Sequence, residues 1–564
     1  MKNFLGRGWR VVVSLLILSA ALGLPAGAQQ AATCDQLSDA SYQQTPLQVR
    51  RAICSLAEEG RLDELRWPSF IQFRKQVQQF YSLTYEPVWT KQVTPTPQAL
   101  ALVDLMQHAE QKGLRLDDYD GSRWAARLAR FREKTPELTA TELARFDLAL
   151  TVSAMRYLTD LHRGRVNPNE VEFALVAKTF SAAEFLETRV VGAGDVKSAV
   201  QQAEPDYAGY RRALQALQVY LELALKGDGD PLLPPAKPLH PGDPYPGVPQ
   251  LAQRLKQLGD LPSDAVLPAK AGVYDGALVS ALEKFQKRHG LAADGRLGPE
   301  TFQELTVPLR RRVQQFQLTL ERWRWLPENV GPSLVAINIP EFRLRAYERH
   351  KEVLSMKVIV GQSFDHQTPI FADDMEYVIF RPYWNVPTSI VKKEIVPALR
   401  RNKGYLERHH MEAIDRYGEV VAGPQVLRQL AAGQLELRQQ PGPWNSVGLL
   451  KFILPNQYNV YLHGTPEGRL FQRARRDFSH GCIRVEDPAA LGVWVLRDNP
   501  GWPLKRIVET MHGTETLQVN LKRPIPVLVL YGTVFVGEEG DVNFFRDFYG
   551  LDAALERALD RVHP

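Results

Sequence analysis

Long apolar runs are almost absent from this chain of 564 residues. One run stands out, Val11 to Leu24, and its 14 residues fall short of the roughly 20 that a membrane-spanning helix needs. Three basic residues precede it, and Ala26-Gly27-Ala28 follows as a small-residue cleavage site. This order is typical of a secretory signal peptide. We therefore predict that residues 1–28 direct export and are removed, with an uncleaved membrane anchor as the alternative.

Cysteine is also scarce, with only Cys34, Cys54 and Cys482 in the whole chain. Exported proteins tend to pair their thiols, and Cys34 and Cys54 are close enough in sequence to pair with each other. An odd cysteine in an exported protein is a candidate reactive thiol. The sequence therefore directs attention to Cys482.

A strong excess of one charge sign is missing as well. The net charge is +5, and three of these charges lie in the predicted signal peptide, which has no acidic residue. So small a surplus gives no argument for nucleic-acid binding. The hydrophobic fraction of 44% and the charged fraction of 24% exclude a wholly disordered or collagen-like chain. The length predicts about three or four domains.

The first half of the chain has helical periodicity. Apolar residues recur at helical spacing from residue 40 to about 230, and Thr139 with Glu142 forms a capping box. No catalytic motif stands out here, so we predict a helical scaffold domain over residues 29–240. Eight prolines between residues 231 and 249 predict a linker or an extended loop, because proline lacks a backbone donor.

Residues 250–306 return to helical spacing and contain a specific motif. Phe285-Gln-x-x-His-Gly-Leu291 is followed by Asp294-Gly-x-x-Gly-Pro-x-Thr301. This order resembles the peptidoglycan-binding repeat, a small three-helix module, which we assign to residues 241–310. The resemblance implies either binding to the cell wall or a purely structural packing role.

From residue 333 onward the pattern changes to short strands separated by Pro, Gly and Asn turns. The predicted strands are 334–339, 353–360, 377–380, 449–454, 458–462, 527–536 and 542–545. Asp487 and Pro488 predict the start of a helix. A charged, helix-favouring stretch, residues 388–432, interrupts the strands and predicts either a lid or a solvated helical excursion. The predicted fold class is therefore a multidomain α+β chain.

The chemically active residues cluster between two of these strands. His463-Gly464 ends a predicted strand, and Ser479-His480-Gly481-Cys482-Ile483-Arg484 forms a turn of small residues. A thiol becomes a nucleophile when a base lies within hydrogen-bond reach. The amides of Gly481 and Cys482 could form an oxyanion hole, and Arg484 could bind a carboxylate. The alternatives are an inert buried cysteine and a zinc site built from two histidines and Cys482.

His463, fifteen further residues and Ser479-His-Gly-Cys-Ile-Arg484 resemble the signature of the L,D-transpeptidase (YkuD-type) catalytic domain. Further motifs that match are Val360-Gly361 with Thr368-Pro369, Tyr383-Trp-Asn-Val-Pro387, Pro441-Gly-Pro-Trp-Asn445, Gly448-Leu-Leu-Lys-Phe452 and Asn459-Val-Tyr-Leu-His463. Glu321-Arg-Trp-Arg-Trp-Leu-Pro327 resembles the large periplasmic YcbB-like branch, which carries a helical scaffold, a peptidoglycan-binding repeat and a lid-like insert. The resemblance therefore implies a mostly-β catalytic domain over residues 311–564, with a helical lid-like insert over 388–432.

The resemblance also implies roles for single residues. Cys482 would be the nucleophile and His463 the general base, oriented by the backbone carbonyl of Gly464. The turn and oxyanion residues would be Ser479, His480 and Gly481. The substrate-binding residues would be Arg484, Tyr461 and Trp384. No metal and no cofactor is expected.

The family implies an acyl transfer between peptidoglycan stem peptides. Cys482 would form a thioester with the third residue of a donor tetrapeptide, release D-Ala, and pass the acyl group to the side-chain amine of an acceptor stem. The expected location is the periplasm, other wall-synthesis enzymes are conceivable partners, and carbapenems would acylate the same thiol. The alternatives are an L,D-carboxypeptidase, a hydrolase of wall amides, and a wall-binding scaffold without catalysis.

Overall fold

The computed structural model describes residues 34, 37, 45–82, 84–133, 137–265 and 272–562, so the predicted signal peptide lies outside the described residues. Cys34 and Cys54 form a disulfide bond, and Cys482 is a free cysteine. A search of the described residues finds no helix long and apolar enough to cross a membrane.

The N-terminal part of the chain is a helical domain with its own apolar core. Its helices are α1 (Leu47–Glu59), α2 (Arg74–Tyr81), α3 (Pro97–Gln107), α4 (Trp124–Arg130), α5 (Ala140–Arg163), α6 (Ala182–Phe185), α7 (Val196–Gln201) and α8 (Ala208–Lys226). Three two-residue strands accompany them, β1 (Thr90–Lys91), β2 (Thr94–Pro95) and β3 (Phe173–Ala174). The predicted capping box of Thr139 and Glu142 is confirmed at the start of α5, which is buried along most of its length.

Three helices form the next unit, as the motif predicts. They are α9 (Val248–Gln257), α10 (Ala277–Arg288) and α11 (Pro299–Leu305), and they enclose a separate apolar core. Gln286 organises the turn after α10, because its side chain bonds to Asp294, Thr301 and the backbone of Gly295. The proline-rich segment has no helix before α9, and Leu239 bridges to Leu297. It is therefore an extended loop that packs on the module.

The C-terminal part contains the remaining strands and helices. The strands are β4 (Ser333–Asn338), β5 (Arg343–Glu348), β6 (Lys351–Gly361), β7 (Ile370–Phe380), β8 (Trp384–Asn385), β9 (Met411–Ile414), β10 (Val420–Val421), β11 (Glu436–Gln439), β12 (Leu450–Ile453), β13 (Leu462–His463), β14 (Asp477–Ser479), β15 (Ile483–Val485), β16 (Leu517–Leu530), β17 (Val534–Val536) and β18 (Val542–Phe544). The helices are α12 (Leu309–Trp325), α13 (Thr388–Ile390), α14 (Val396–Arg401), α15 (Tyr405–Arg408), α16 (Val426–Ala431), α17 (Pro488–Val495), α18 (Leu504–His512) and α19 (Leu551–Arg561).

Eight of these strands close into a barrel. The order is β7-β12-β13-β15-β6-β5-β4-β16, and β16 pairs back onto β7. Eight strands leave an interior just wide enough for side chains to fill, and buried aliphatic and aromatic residues occupy it here. The strand β14 adds to β6 outside the ring. The predicted multidomain α+β architecture is confirmed.

The helical domain and the barrel share elements. From the helical domain, β3 pairs with the start of β7, with Phe173 opposite Ile370. One part of α12 packs against α8 in an apolar cluster, while Leu318 and Trp325 of the same helix belong to the barrel core. The two units are therefore joined by a common sheet and a common helix.

The segment between β8 and β11, residues 384–439, is an insert with its own small core. Its helices α13 to α16 stand beside a four-stranded antiparallel sheet of order β10-β9-β11-β8. A π-helical turn, Val391–Ile395, links α13 to α14. The predicted insert over 388–432 was helical, whereas the observed insert is longer and mixed α+β. Its strands have two to four residues each, too few for a clear alternating pattern.

Two predicted strands need correction. The run 458–462 is mostly loop, because the Asn456 side chain accepts hydrogen bonds from the amides of Tyr458 and Val460, and only Leu462–His463 is strand. The run 527–536 breaks after Leu530, where the Gly532 amide donates to the Asn338 side chain at 2.8 Å. Beyond the break, β17 leaves the barrel and packs with α8 and α12.

Candidate active site

Two short parallel strands bring the predicted cysteine and histidine to one face of the barrel. In β13 and β15, Leu462 lies opposite Ile483 and His463 lies opposite Arg484. Leu462 and Ile483 point into the barrel core. Because successive strand residues alternate between faces, His463, Arg484 and Cys482 share the outer face.

The Cys482 thiol is half-buried, and its Sγ lies 3.7 Å from the backbone oxygen of Asn459. Burial raises the pKa of this thiol above its ordinary value, while Tyr461, Lys451 and Arg484 act in the opposite direction. The burial effect wins, so the resting sulfur carries its proton at neutral pH. A nucleophilic attack by Cys482 therefore requires a base or a nearby cation.

The His463 side chain is buried and fixed in orientation. Its Nδ1 lies 2.6 Å from the carbonyl oxygen of Gly464, so Nδ1 donates and Nε2 is left as the acceptor nitrogen. Gly448 lets this segment approach closely: its φ is +67°, and a Cβ there would lie 2.5 Å from the Gly464 carbonyl carbon. Burial, then Arg484, then Lys451 lower the pKa of His463 to about 3. The imidazole is therefore neutral at physiological pH.

The turn before Cys482 is held by side chains within it. The Ser479 hydroxyl donates to the carbonyl of Cys482 at 2.5 Å, and the Gly481 amide donates to the Ser479 hydroxyl oxygen at 3.2 Å. Gly481 has a φ of +110°, which favours glycine. The Gly481 amide is thus engaged, unlike in the predicted two-amide oxyanion hole. Within the described ranges, the Cys482 amide has no hydrogen-bond partner and remains available.

A second layer supports this turn from distant parts of the chain. The Thr368 hydroxyl donates to the Gly481 carbonyl at 2.8 Å and accepts from the Gly361 amide at 2.9 Å. Tyr549 donates its hydroxyl to the Gly361 carbonyl at 2.7 Å and accepts from the Thr368 amide at 3.1 Å. Thr368 belongs to one of the motifs named in the sequence, but no role was predicted for it. Tyr549 lies outside all of these motifs.

His480 and Arg484 have protein partners. His480 Nε2 lies 2.7 Å from the Glu394 carboxylate of the insert, which links the catalytic turn to the insert. Arg484 forms an ion pair with Glu467. One guanidinium nitrogen of Arg484, Nη1, donates to Glu467, and the role of Arg484 in binding substrate stays a prediction.

Tyr461 lies beside the thiol, and a lysine covers its ring. The Tyr461 phenol interacts with Cys482 and with the indole of Trp384 from the insert, and burial raises its pKa. The Nζ of Lys451 lies 3.6 Å from the centroid of the Tyr461 ring. The prediction named Tyr461 and Trp384 but gave Lys451 no role. The only signal was its place in the matched motif Gly448-Leu-Leu-Lys-Phe452.

The ligating atoms of His463, His480 and Cys482 do not all lie within 4.8 Å of one another, although all three residues are described. The alternative of a zinc site on these three side chains is therefore not supported.

Three family models match successive parts of the chain. Residues 332–516 match the "L,D-transpeptidase catalytic domain" (YkuD), residues 244–305 the "Putative peptidoglycan binding domain", and residues 75–217 the "Scaffold domain". By these matches the chain combines a helical scaffold, a region similar to the putative peptidoglycan-binding domain and a β-rich region similar to the YkuD L,D-transpeptidase catalytic domain.

Individual proteins are also similar to parts of this chain. The chain is 27% identical over 274 residues to a Haemophilus influenzae protein named "Putative L,D-transpeptidase"; the match covers 48% of this chain and 55% of that protein, about half its length. Among solved structures, the L,D-transpeptidase from Stackebrandtia nassauensis is 15% identical, with 53% of this chain and 97% of that chain covered and a TM-score of 0.21. The L,D-transpeptidase LdtMt1 in complex with imipenem is 12% identical, with 35% and 59% covered and a TM-score of 0.18.

Proposed function

We propose that this protein is a peptidoglycan L,D-transpeptidase that uses Cys482 as its nucleophile. The observation that carries the proposal is the shared outer face of β13 and β15, on which a half-buried free thiol and a buried neutral imidazole both lie. The Gly464 carbonyl fixes the tautomer of that imidazole, as a general base requires. The match of residues 332–516 to the catalytic domain supports the same reaction class.

The proposed reaction has two halves. Cys482 Sγ attacks the carbonyl carbon of the third stem residue, a diamino acid, as its proton passes to His463 Nε2. The C–N bond to the terminal D-Ala then breaks, and His463 returns the proton to the leaving amine. In the second half, the side-chain amine of another stem attacks the thioester, the C–S bond breaks, and the thiol is regenerated. The product is a direct cross-link between two third residues.

The thioester must be kept from water for transfer to an amine to compete with hydrolysis. The insert is suited to this task, because Glu394 contacts the catalytic turn and Trp384 contacts Tyr461. We therefore propose that the insert acts as a lid.

Other parts of the chain support a proposal for the substrate and a proposal for the location. The peptidoglycan-binding domain at residues 244–305 supports a wall polymer as the partner. The pattern of residues 1–28 supports export, and we propose that the protein acts outside the cytoplasm. A thiol nucleophile of this kind is also expected to be acylated by a carbapenem, because the strained lactam is an activated acyl donor.

The test compares the purified protein with its Cys482→Ala variant. Each is mixed with disaccharide-tetrapeptide and, in a separate sample, with a carbapenem, and mass spectra of the protein and products are recorded. We expect a dimer lighter than two monomers by one D-Ala, and a covalent carbapenem adduct, with both absent in the variant. The variant should keep its fold, since Cys482 is a small side chain at the surface of the barrel.

Other products would change the conclusion. Tripeptide without dimer would identify water as the acceptor and make the protein an L,D-carboxypeptidase. Full cross-linking by the Cys482→Ala variant would overturn the assignment of the nucleophile.

A further inference from the structure

The groups around the Cys482 thiol differ in the charge they can offer. On the outer face of the barrel, Lys451 comes from β12, Tyr461 and His463 come from the segment at β13, and Arg484 comes from β15. A thiolate formed at this half-buried position needs a positive charge close by, because burial disfavours the anion. The question is which of these groups supplies it.

His463 cannot be that cation in the resting enzyme. Its pKa is about 3, so the imidazole is neutral at pH 7, and no thiolate–imidazolium pair exists before substrate binds. The charge of Arg484 is already shared with the carboxylate of Glu467. His463 and Arg484 are therefore both poorly suited to stabilise the sulfur anion.

Lys451 is placed differently. It is half-buried, it lies opposite His463 in the register of β12 and β13, and its Nζ is 3.6 Å from the centroid of the Tyr461 ring. No carboxylate in the described part of the chain forms an ion pair with it. The face of an aromatic ring attracts a cation without neutralising it. The ammonium is thus held beside the thiol with its charge uncompensated.

We propose that Lys451 is the counter-charge of the Cys482 thiolate, and that the ring of Tyr461 holds its ammonium in position. This inference rests on the proposed role of Cys482 as the nucleophile. Lys451 donates no proton in the reaction; it stabilises the negative sulfur while His463 carries the proton.

The titration behaviour of the two groups agrees with this pairing. Burial lowers the pKa of Lys451 and raises the pKa of Cys482, and the charge of each group acts against the burial effect at the other. Tyr461, His463 and Arg484 are the other titratable or charged groups facing the thiol.

The test is the pH dependence of alkylation by iodoacetamide in the full-length oxidised protein. The disulfide between Cys34 and Cys54 leaves Cys482 as the single free thiol of the chain, so the reaction reports one sulfur. The variants are Lys451→Met, Lys451→Gln and Lys451→Arg. Lys522→Met, an exposed lysine on β16, is the matched control.

We expect Lys451→Met and Lys451→Gln to move the midpoint of the alkylation curve about one pH unit higher. The rate constant at pH 7.5 should fall about three- to tenfold, since a more basic thiolate is also more nucleophilic. Lys451→Arg should stay close to the parent protein, and Lys522→Met should match it. Thermal unfolding of each variant checks that it is folded. If one of the two neutral variants does not fold, the other one serves for the test.

An unchanged midpoint in a folded neutral variant would overturn the inference. A Lys451→Arg variant that behaves like Lys451→Met would also overturn the inference, because the positive charge would then not be the cause of the shifted midpoint. Alkylation needs no peptidoglycan, so a failed cross-linking assay would refute the proposed function without affecting this result.

Discussion

His463 illustrates how surroundings define the chemistry of a single residue. Its side chain is 4% exposed, its Nδ1 faces the Gly464 carbonyl, and two cations, Arg484 and Lys451, act on its ring. Each cation disfavours protonation of the imidazole, and burial does so more strongly. In the proposed reaction the residue is therefore a base that accepts a proton only as the sulfur attacks.

This state predicts a specific pH dependence. A general base acts only when it is unprotonated, so kcat/KM falls as the pH drops through the pKa of that base. Because the pKa of His463 is about 3, kcat/KM for the donor stem, followed as D-Ala release, should stay level from about pH 7 down to about pH 5. The measurement is a pH–rate profile with circular dichroism at each pH. An acid limb centred on the ordinary histidine value of about 6.5 would contradict the prediction.

At the residue scale, the sequence predicted the candidate nucleophile and base, but not the residues that contact and position them. Cys482 and His463 belong to a motif of fixed spacing, so they could be recognised from the sequence. Thr368 reaches the site from the loop before β7, Lys451 from β12 and Tyr549 from the loop before α19. Their proximity depends on barrel closure, which residue patterns do not reveal.

Among the larger elements, the insert is the one that the sequence described least well. Its charged helices were visible in the composition, whereas β9, β10 and β11 were not, because strands of two to four residues give too short a pattern. The contact of Glu394 with His480 joins residues 86 positions apart. Such a pairing becomes evident only in the folded chain.

The contact between Glu394 and His480 predicts how firmly the insert is held. Replacing Glu394 with Gln removes the charge from a bond of 2.7 Å between partly exposed groups. Exposed pairs of this kind contribute about 1 kcal/mol or less, so amide hydrogen exchange across residues 391–401 should speed up about two- to fivefold. Mass spectrometry of peptic peptides measures this exchange.

Glu407→Gln is the control for that measurement, because Glu407 is an exposed acidic residue of the same insert. Equal exchange rates in the two variants would show that the Glu394–His480 contact does not restrain the insert.

Considered as a whole, the molecule has several apolar cores that share structural elements. The helix α12 belongs to two of them, and β3 extends the barrel sheet from the helical domain. Arg546, which follows the last hairpin, pairs with Glu300 and Glu304 of the three-helix unit. The sequence predicted the multidomain α+β class, but it gave no sign that β3 and α12 each contribute to two units.

Phe173 tests this connection. It is 2% exposed, and its ring packs edge-on against Trp325, with centroids 5.1 Å apart. Phe173→Ala should lower the free energy of unfolding by about 3 kcal/mol, because it leaves a cavity where the helical domain meets the barrel. Urea denaturation followed by tryptophan fluorescence and circular dichroism measures the loss.

Val176→Ala serves as the control, since Val176 lies three residues away and is 91% exposed. It should change stability by less than about 0.5 kcal/mol. Similar losses in both variants would mean that Phe173 does not join the two units.

The pairing of β3 with β7 has a mechanical consequence. Phe173 and Ala174 bond to Ile370 and Phe371, and Thr368, two residues before β7, holds the carbonyl of Gly481 next to the nucleophile. A tensile load on the helical domain would therefore reach the reactive sulfur through a few residues of backbone, without crossing the interior of the barrel. The helical domain is thus connected, through β7 and Thr368, to the turn that carries Cys482.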